Sequence, residues 1–230
     1  MSRPRLALVD ASHSDPNTSR NFRRELDADL VEFPVTDGQF PPTFEEKSHT
    51  IPFDGIVVTG SRSSVYEDEP WIRDTREWVD TALDHGLPAL GICWGHQLLA
   101  DVLGGTVEPM GECELGYRTV RHFGDALFDG VPESFTVFTT HFDAVTELPP
   151  GAELIAENDY GIHGFRDGNV VGIQSHPEYD VETAEAVTRR KSLPAERIEA
   201  VCEGITDERY AEAMSVKRVF DNFCRRVRGE

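Results

Sequence analysis

The chain has 230 residues, 39% of them hydrophobic, which is enough for one α/β domain with a sizeable core and short for two independent cores. Its formal net charge of -20 opposes contact with a phosphate backbone, so no nucleic-acid partner is expected. No apolar run approaches the ~20 residues of a membrane helix, and Met1-Ser2-Arg3-Pro4-Arg5 carries no small-residue cleavage site, so a soluble, cytoplasmic chain without a membrane partner is expected.

In chain order, Arg5 to Asp10 reads as a first strand and Ala11 to Thr18 as a loop. Asn21 to Leu30 reads as a helix, with Phe22, Leu26 and Leu30 at four-residue spacing. Val31 to Val35 is a second strand, and Thr36 to Pro52 an irregular connection. The apolar run Phe53 to Thr59 predicts a strand buried on both faces. Glu69 to His85 predicts a helix stopped at Gly86. Leu87 to Ile92 is the next strand, Trp94 to Leu103 the next helix, closed by Gly104-Gly105.

This alternation predicts an open, mostly parallel sheet flanked by helices. From Thr106 to Val171 the pattern changes to short β-like runs: Tyr117–His122, Phe135–Thr140, Glu153–Glu157, Gly161–Arg166 and Val170–Gln174. Val181 to Arg228 reads as two or three helices broken at Pro194 and Gly204. One domain over 1–230 is the simplest organisation, with a core of about 5–180 and a C-terminal helical extension of about 181–230.

Four cysteines, Cys93, Cys113, Cys202 and Cys224, form no Cys-x-x-Cys pair, which disfavours a zinc ribbon or a disulfide framework. Cys93 has a special setting, Gly91-Ile92-Cys93-Trp94-Gly95, between an apolar strand and a helix. That is the spacing of a nucleophile elbow. The sharp turn strains the nucleophile's backbone, and the glycines avoid collisions between the two elements. The turn also sets sulfur at a helix N-terminus, where the dipole and free N–H groups favour thiolate, and the Trp94 N–H faces a developing oxyanion. A small buried cysteine between glycines is the plainer alternative.

Of eight histidines, His176 follows a predicted strand in Gln174-Ser175-His176-Pro177-Glu178. A residue past the carboxyl end of a parallel strand lies at the sheet edge where α/β sites form, and Cys93 lies at the same edge. Glu178 can accept the second imidazole N–H and fix the tautomer. A surface turn is the alternative for His-Pro-Glu alone. No metal and no cofactor are expected, because no further ligand cluster is apparent.

These residues resemble the class I, or triad, glutamine amidotransferases. Gly91 to Gln97 is similar to that family's Gly-x-Cys-x-Gly-x-Gln motif, and Gln174 to Glu178 to its terminal His-Pro-Glu motif. The resemblance implies a flavodoxin-like fold with an additional small β region and C-terminal helices. It implies a thioester on Cys93, proton transfer by His176 and orientation by Glu178. Gln97 would hold the glutamyl portion.

Val57 to Ser64 aligns with an oxyanion loop that usually reads Gly-Gly-Pro-x-Ser; here Ser61 replaces the second glycine and Arg62 the proline. Gly60 would then border the substrate, and the Ser61 N–H would complete the oxyanion hole. Glu114-Leu115-Gly116-Tyr117 resembles the Glu-x-Gly-Tyr of GMP synthase glutaminase portions. Thr139 to Asp143 resembles a Ser-His-Gly-Asp segment beside the substrate pocket, which makes His141 a candidate lining residue; a structural histidine at a strand end fits equally.

The Thr-Gly-Ser loop, Trp71-Ile72 and the C-terminal helices look most like stand-alone GMP synthase-like amidotransferases and γ-glutamyl peptidases; no acceptor domain is expected to follow. The implied substrate is a γ-glutamyl amide, glutamine first and small thiol peptides as the alternative, with an ammonia-accepting synthase subunit as a possible partner. A non-catalytic binding module of the same fold is the third reading. Lysine is limited to Lys47, Lys191 and Lys217, so a halophilic source and an ordinary acidic cytosolic enzyme both fit.

Overall fold

Short runs of β-branched and aliphatic residues form strands, and the intervening amphipathic segments cover them. The computed structural model of the chain describes residues 3–43 and 52–230. The strands are β1 (Arg5–Asp10), β2 (Asp29–Pro34), β3 (Gly55–Val58), β4 (Ala89–Ile92), β5 (Thr106–His122), β6 (Ser134–Glu147), β7 (Glu153–Asn158), β8 (Gly161–Asp167) and β9 (Val170–Ile173). They make one nine-stranded sheet in the order β2-β1-β3-β4-β9-β8-β7-β5-β6. From β2 to β9 neighbours run parallel; beyond β9 they run antiparallel. The short β-runs expected from the sequence therefore extend the parallel sheet. Two of them are much longer than expected, because the long β5 and β6 pair along their length, with a register shift between Pro109 and Glu114.

The helices are α1 (Pro16–Glu25), α2 (Pro70–Asp84), α3 (Trp94–Val102), α4 (Val181–Arg189), α5 (Ala195–Glu203), α6 (Asp207–Ala213) and α7 (Arg218–Val227). Alternate strand residues face opposite layers. Leu6, Leu8, Val57, Leu90 and Ile173 pack on one side with Phe22 of α1 and Phe220 and Phe223 of α7. Ala7, Val9, Ile56, Val58 and Ala89 pack on the other with Ile72 and Val79 of α2 and Leu98 and Leu99 of α3. Each fully buried aliphatic or aromatic side chain contributes about 1.5–3 kcal/mol. The central parallel strands β1, β3, β4 and β9 are buried on both faces, hence their lack of polar alternation.

The sequence placed the first helix too late. Its start is Asp15, whose side chain accepts the Asn17 N–H, followed by Pro16 at the first helical position. Leu26 is its C-cap in extended conformation, and Leu30 belongs to β2. The spacing of Phe22, Leu26 and Leu30 reflects burial in one core layer, not one helix. After β2, Val35–Asp37 makes a single 3-10 turn closed by Gly38 at φ 77°. Residues 44–51 of the expected irregular connection lie outside the described residues. The C-terminal region holds four α-helices rather than two or three; Pro194 and Gly204 cap the two ends of α5. Among the described residues no helix is long and apolar enough to cross a membrane.

Candidate active site

The turn from β4 into α3 is held by backbone geometry. Cys93 has φ 53° and ψ −104°, a conformation that costs a residue bearing a Cβ on the order of 1–3 kcal/mol. Its N–H donates to the Ile173 carbonyl of β9 at 2.9 Å, and its own carbonyl accepts the Gln97 N–H at 3.1 Å. A methyl on Gly91 would sit 2.4 Å from the Gly95 oxygen, and one on Gly95 would sit 2.2 Å from the Val58 oxygen. Only glycine lets β3, β4 and α3 approach so closely. The Trp94 and Ser61 N–H groups have no acceptor among the described residues, although Trp94 is buried.

His176 lies just past β9, at the same sheet edge. Its N–H donates to the Phe138 carbonyl of β6 at 2.8 Å. Its ring Nδ1 donates to Glu178 Oε1 at 2.7 Å, and the ring and Cys93 both lie beside Gly60. All three side chains are at least 95% buried, at 4%, 4% and 2% exposure for Cys93, His176 and Glu178. Burial would push the imidazole pKa down, but Glu178 and the Cys93 sulfur outweigh it and hold the ring up at about 10. Gly60 packs against the same pair: a methyl there would lie 2.9 Å from His176 Cε1 and 3.6 Å from Cys93 Cβ. A cavity of about 190 Å³ opens beside this cluster, walled by Gly60, Ser61, Thr140, His176 and Lys191 among others. Cys93 itself is not part of its wall. A larger cleft of about 410 Å³ by Phe40 and Trp78 is lined by no cysteine or histidine.

Residues 17–193 match the family model described as "Glutamine amidotransferase class-I". The chain belongs to the class-I glutamine amidotransferase family. Over 127 residues, 54% of this chain, it is 38% identical to a GMP synthase [glutamine-hydrolyzing] of Staphylococcus epidermidis, of which the match covers 24%. The figures for the Staphylococcus aureus enzyme are the same. The matched segment thus spans about a quarter of the length of these relatives. Two solved structures share the fold: a glutamine amidotransferase from Thermotoga maritima (TM-score 0.79, 21% identity, 97% of this chain and 99% of that one) and one from Methylobacillus flagellatus (TM-score 0.78, 17% identity, 98% and 95%).

In this amidotransferase Gln97 and His141 are engaged within the protein. Gln97 Nε2 donates to the Asp143 carbonyl at 2.8 Å and to Gln174 Oε1 at 3.0 Å. His141 Nδ1 faces the same Asp143 carbonyl at 2.8 Å, and its Nε2 faces Glu114 Oε2 at 2.6 Å. Both ring nitrogens of His141 are thus engaged inside the protein, and His141 is not among the residues that wall the cavity. The Asp143 carboxylate accepts from Ser64 Oγ at 2.5 Å and Tyr66 OH at 2.8 Å, which ties β6 to the loop after β3.

Glu114 anchors this network. Its Oε2 also accepts from His163 Nε2 at 3.0 Å and its Oε1 from Asn158 at 2.7 Å. Burial opposes its charge, yet the two imidazoles hold its pKa well below the usual carboxylate range. Glu114, His141 and His163 bring ligand-type atoms within 4.8 Å of one another, the spacing of a metal triad. Hydrogen bonds already account for both carboxylate oxygens.

Replacing Glu114 by glutamine sets an amide where three donors converge, and a broken buried charged network costs about 3 kcal/mol. A clear fall in the urea unfolding midpoint is expected; an unchanged midpoint would show the network to be dispensable. The depressed carboxyl also makes this stabilisation present above about pH 4.5 and lost as acid titrates the folded carboxylate.

Some site residues carried no signal in the sequence pattern. Tyr179 stacks on the His176 ring, centroids 4.1 Å apart and planes 19° apart. Arg24 of α1 donates to the Glu178 carbonyl and pairs with Asp180, locking the loop after β9. Tyr179 directly follows His-Pro-Glu and was findable by proximity. Arg24 sits far away in sequence and was not.

Proposed function

We propose that this amidotransferase hydrolyses a γ-glutamyl amide through Cys93, with glutamine giving glutamate and ammonia. The observation that carries the reading is the meeting of Cys93, His176 and Glu178 at one sheet edge, with the ring hydrogen-bonded to Glu178 and packed with Cys93 around Gly60. The Cys93 thiolate attacks the amide carbon and a tetrahedral oxyanion forms. The unpartnered N–H groups of Trp94 and Ser61 receive that oxygen. His176 passes its proton to the leaving nitrogen as the C–N bond breaks, leaving a thioester and ammonia. Water then attacks the thioester, His176 takes its proton, and the thiolate departs. Glu178 keeps the imidazole in the tautomer and direction that both steps need. Gly60, packed on the ring, borders the substrate's carbonyl.

The second reading, γ-glutamyl peptidase chemistry, draws on the cavity that runs from Gly60 and His176 to Arg190 and Lys191, which gives a leaving group larger than ammonia a place to lie. Assays of ammonia release from glutamine against cleavage of γ-glutamyl dipeptides separate the two. They belong in high salt, since the acidic surface fits a halophilic cytoplasmic setting. If neither substrate turns over, with or without a synthase partner, the hydrolytic reading fails. The GMP synthase relatives support a partner that accepts ammonia.

Leaving-group protonation needs His176 charged, so kcat/KM is expected to persist to high pH and fall as the ring titrates near 10. Glu178→Gln removes a charge that sustains that value. The alkaline limb is expected to move down in pH and kcat to drop about 10²–10⁴-fold. An unmoved limb would show that Glu178 does not govern the ring. The raised pKa also stabilises the fold, fully below about pH 6.5 and progressively less as pH rises toward the folded value.

A further inference from the structure

The cavity beside His176 carries positive charge in a chain whose 42 acidic residues outnumber 22 basic ones. Most basic groups near it are neutralised: Arg20 and Arg24 pair with Asp180, and Arg190 with Asp15. The two acids in its wall are also taken, Asp15 by Arg190 and Glu178 by His176. Lys191 and Arg62 differ, since neither forms an ion pair with any described residue.

Lys191 is half-buried at the turn after α4. Its Nζ reaches the Thr140 carbonyl at a long 3.4 Å and lies 5.3 Å from the Phe142 ring centroid. An ammonium has three donors and no accepting role, so one long bond leaves most of its capacity unused, and Lys191 lines the cavity. Burial lowers its pKa from the ordinary lysine value, which an anion in the cavity would reverse.

We propose that Lys191, with Arg62, forms a carboxylate-binding pole that selects substrates carrying a carboxylate next to the reacting amide. The proposal rests on the γ-glutamyl hydrolysis reading for its substrate. Two sources of that carboxylate exist: the α-carboxylate of the glutamyl group, and the terminal carboxylate of an amino-acid leaving group. Thr140, whose carbonyl Lys191 touches, adjoins His141 on β6 and shares the cavity wall with Gly60 and His176, so a carboxylate at Lys191 lies within one small molecule's length of the triad.

The test compares wild type with Lys191→Met and Lys191→Arg on matched pairs of substrates. One pair is L-glutamine and its α-carboxamide; the other is γ-glutamylglycine and γ-glutamylglycinamide. Loss of a charged hydrogen bond is worth about 10- to 100-fold. Lys191→Met is expected to lower kcat/KM by that factor for the carboxylate member of one pair and to leave its amide partner unchanged, with the arginine variant partly restored. The pair that responds identifies the carboxylate. Equal loss on acid and amide, or no loss on either, overturns the proposal while leaving the hydrolytic reading in place.

A binding arm decides the matter without turnover. Calorimetric titration of Cys93→Ala protein with L-glutamate and with γ-glutamylglycine is expected to weaken tenfold or more when Lys191→Met is added. If the wild type hydrolyses nothing, the reaction reading fails and this titration still judges the pole: unchanged affinity, or no binding of either compound, rejects it.

Discussion

Replacing Cys93 by alanine is expected to lower glutamine turnover by about 10⁵-fold or more while leaving the chain folded. Alanine keeps the Cβ, so the strained turn at φ 53° is no harder to hold than before, and the flanking glycines still clear the backbone. What disappears is the sulfur, and with it the thioester that divides the reaction into two accessible steps. The loss also reaches the base. Cys93 is among the groups that hold the His176 ring at about 10, so in the variant the imidazole is expected to titrate at lower pH, which ring-proton NMR reads directly. Activity is measured as ammonia release, and folding by the thermal midpoint. Hydrolysis surviving within tenfold of wild type would remove Cys93 from the chemistry. A non-catalytic binding module, by contrast, would keep its ligand affinity in the variant and show no turnover in either protein.

The elbow and the triad loop were legible because both are local. Gly91, Cys93 and Gly95 sit within five residues, and the requirement they meet, two close backbone approaches around a strained turn, is written in the glycines themselves. His176 was legible because a strand ends just before it, and strand ends at the carboxyl edge of a parallel sheet converge whatever their separation in sequence. The first helix was misplaced because an apolar spacing of four reports burial in a layer, which helix and strand residues share; the decisive cue was the Asp15-Pro16 cap, a polar signal beside the apolar one. The full length of β5 and β6 was hidden for a related reason. Thr106 to Glu114 is polar and carries Pro109, so it reads as a loop, and only its pairing with β6 across a register shift makes it strand. The Glu114–His141–His163 cluster was out of reach, since its members come from three strands and are joined by register alone.

Gly95→Ala is expected to cost more than about 4 kcal/mol and to remove activity together with stability. The added methyl would lie 2.2 Å from the Val58 carbonyl oxygen and 2.8 Å from its carbon, both backbone atoms of the buried central strand β3, so no flexible side-chain end can move aside. The neighbouring hydrogen bond from the Gly95 N–H to the Thr59 carbonyl, 3.1 Å long, would have to stretch as α3 is driven off the sheet. That bond leads straight into Gly60 and Ser61, so the displacement would open the proposed oxyanion site as well as the core. Gly86→Ala serves as the control: it has φ 77° and nothing within 4 Å of the added methyl, so it bears only the backbone strain of a left-handed residue, about 1 kcal/mol. Urea unfolding of the two variants side by side reads the difference. If Gly95→Ala unfolds at the same midpoint as Gly86→Ala, the close approach of helix to strand is not what holds the nucleophile in place.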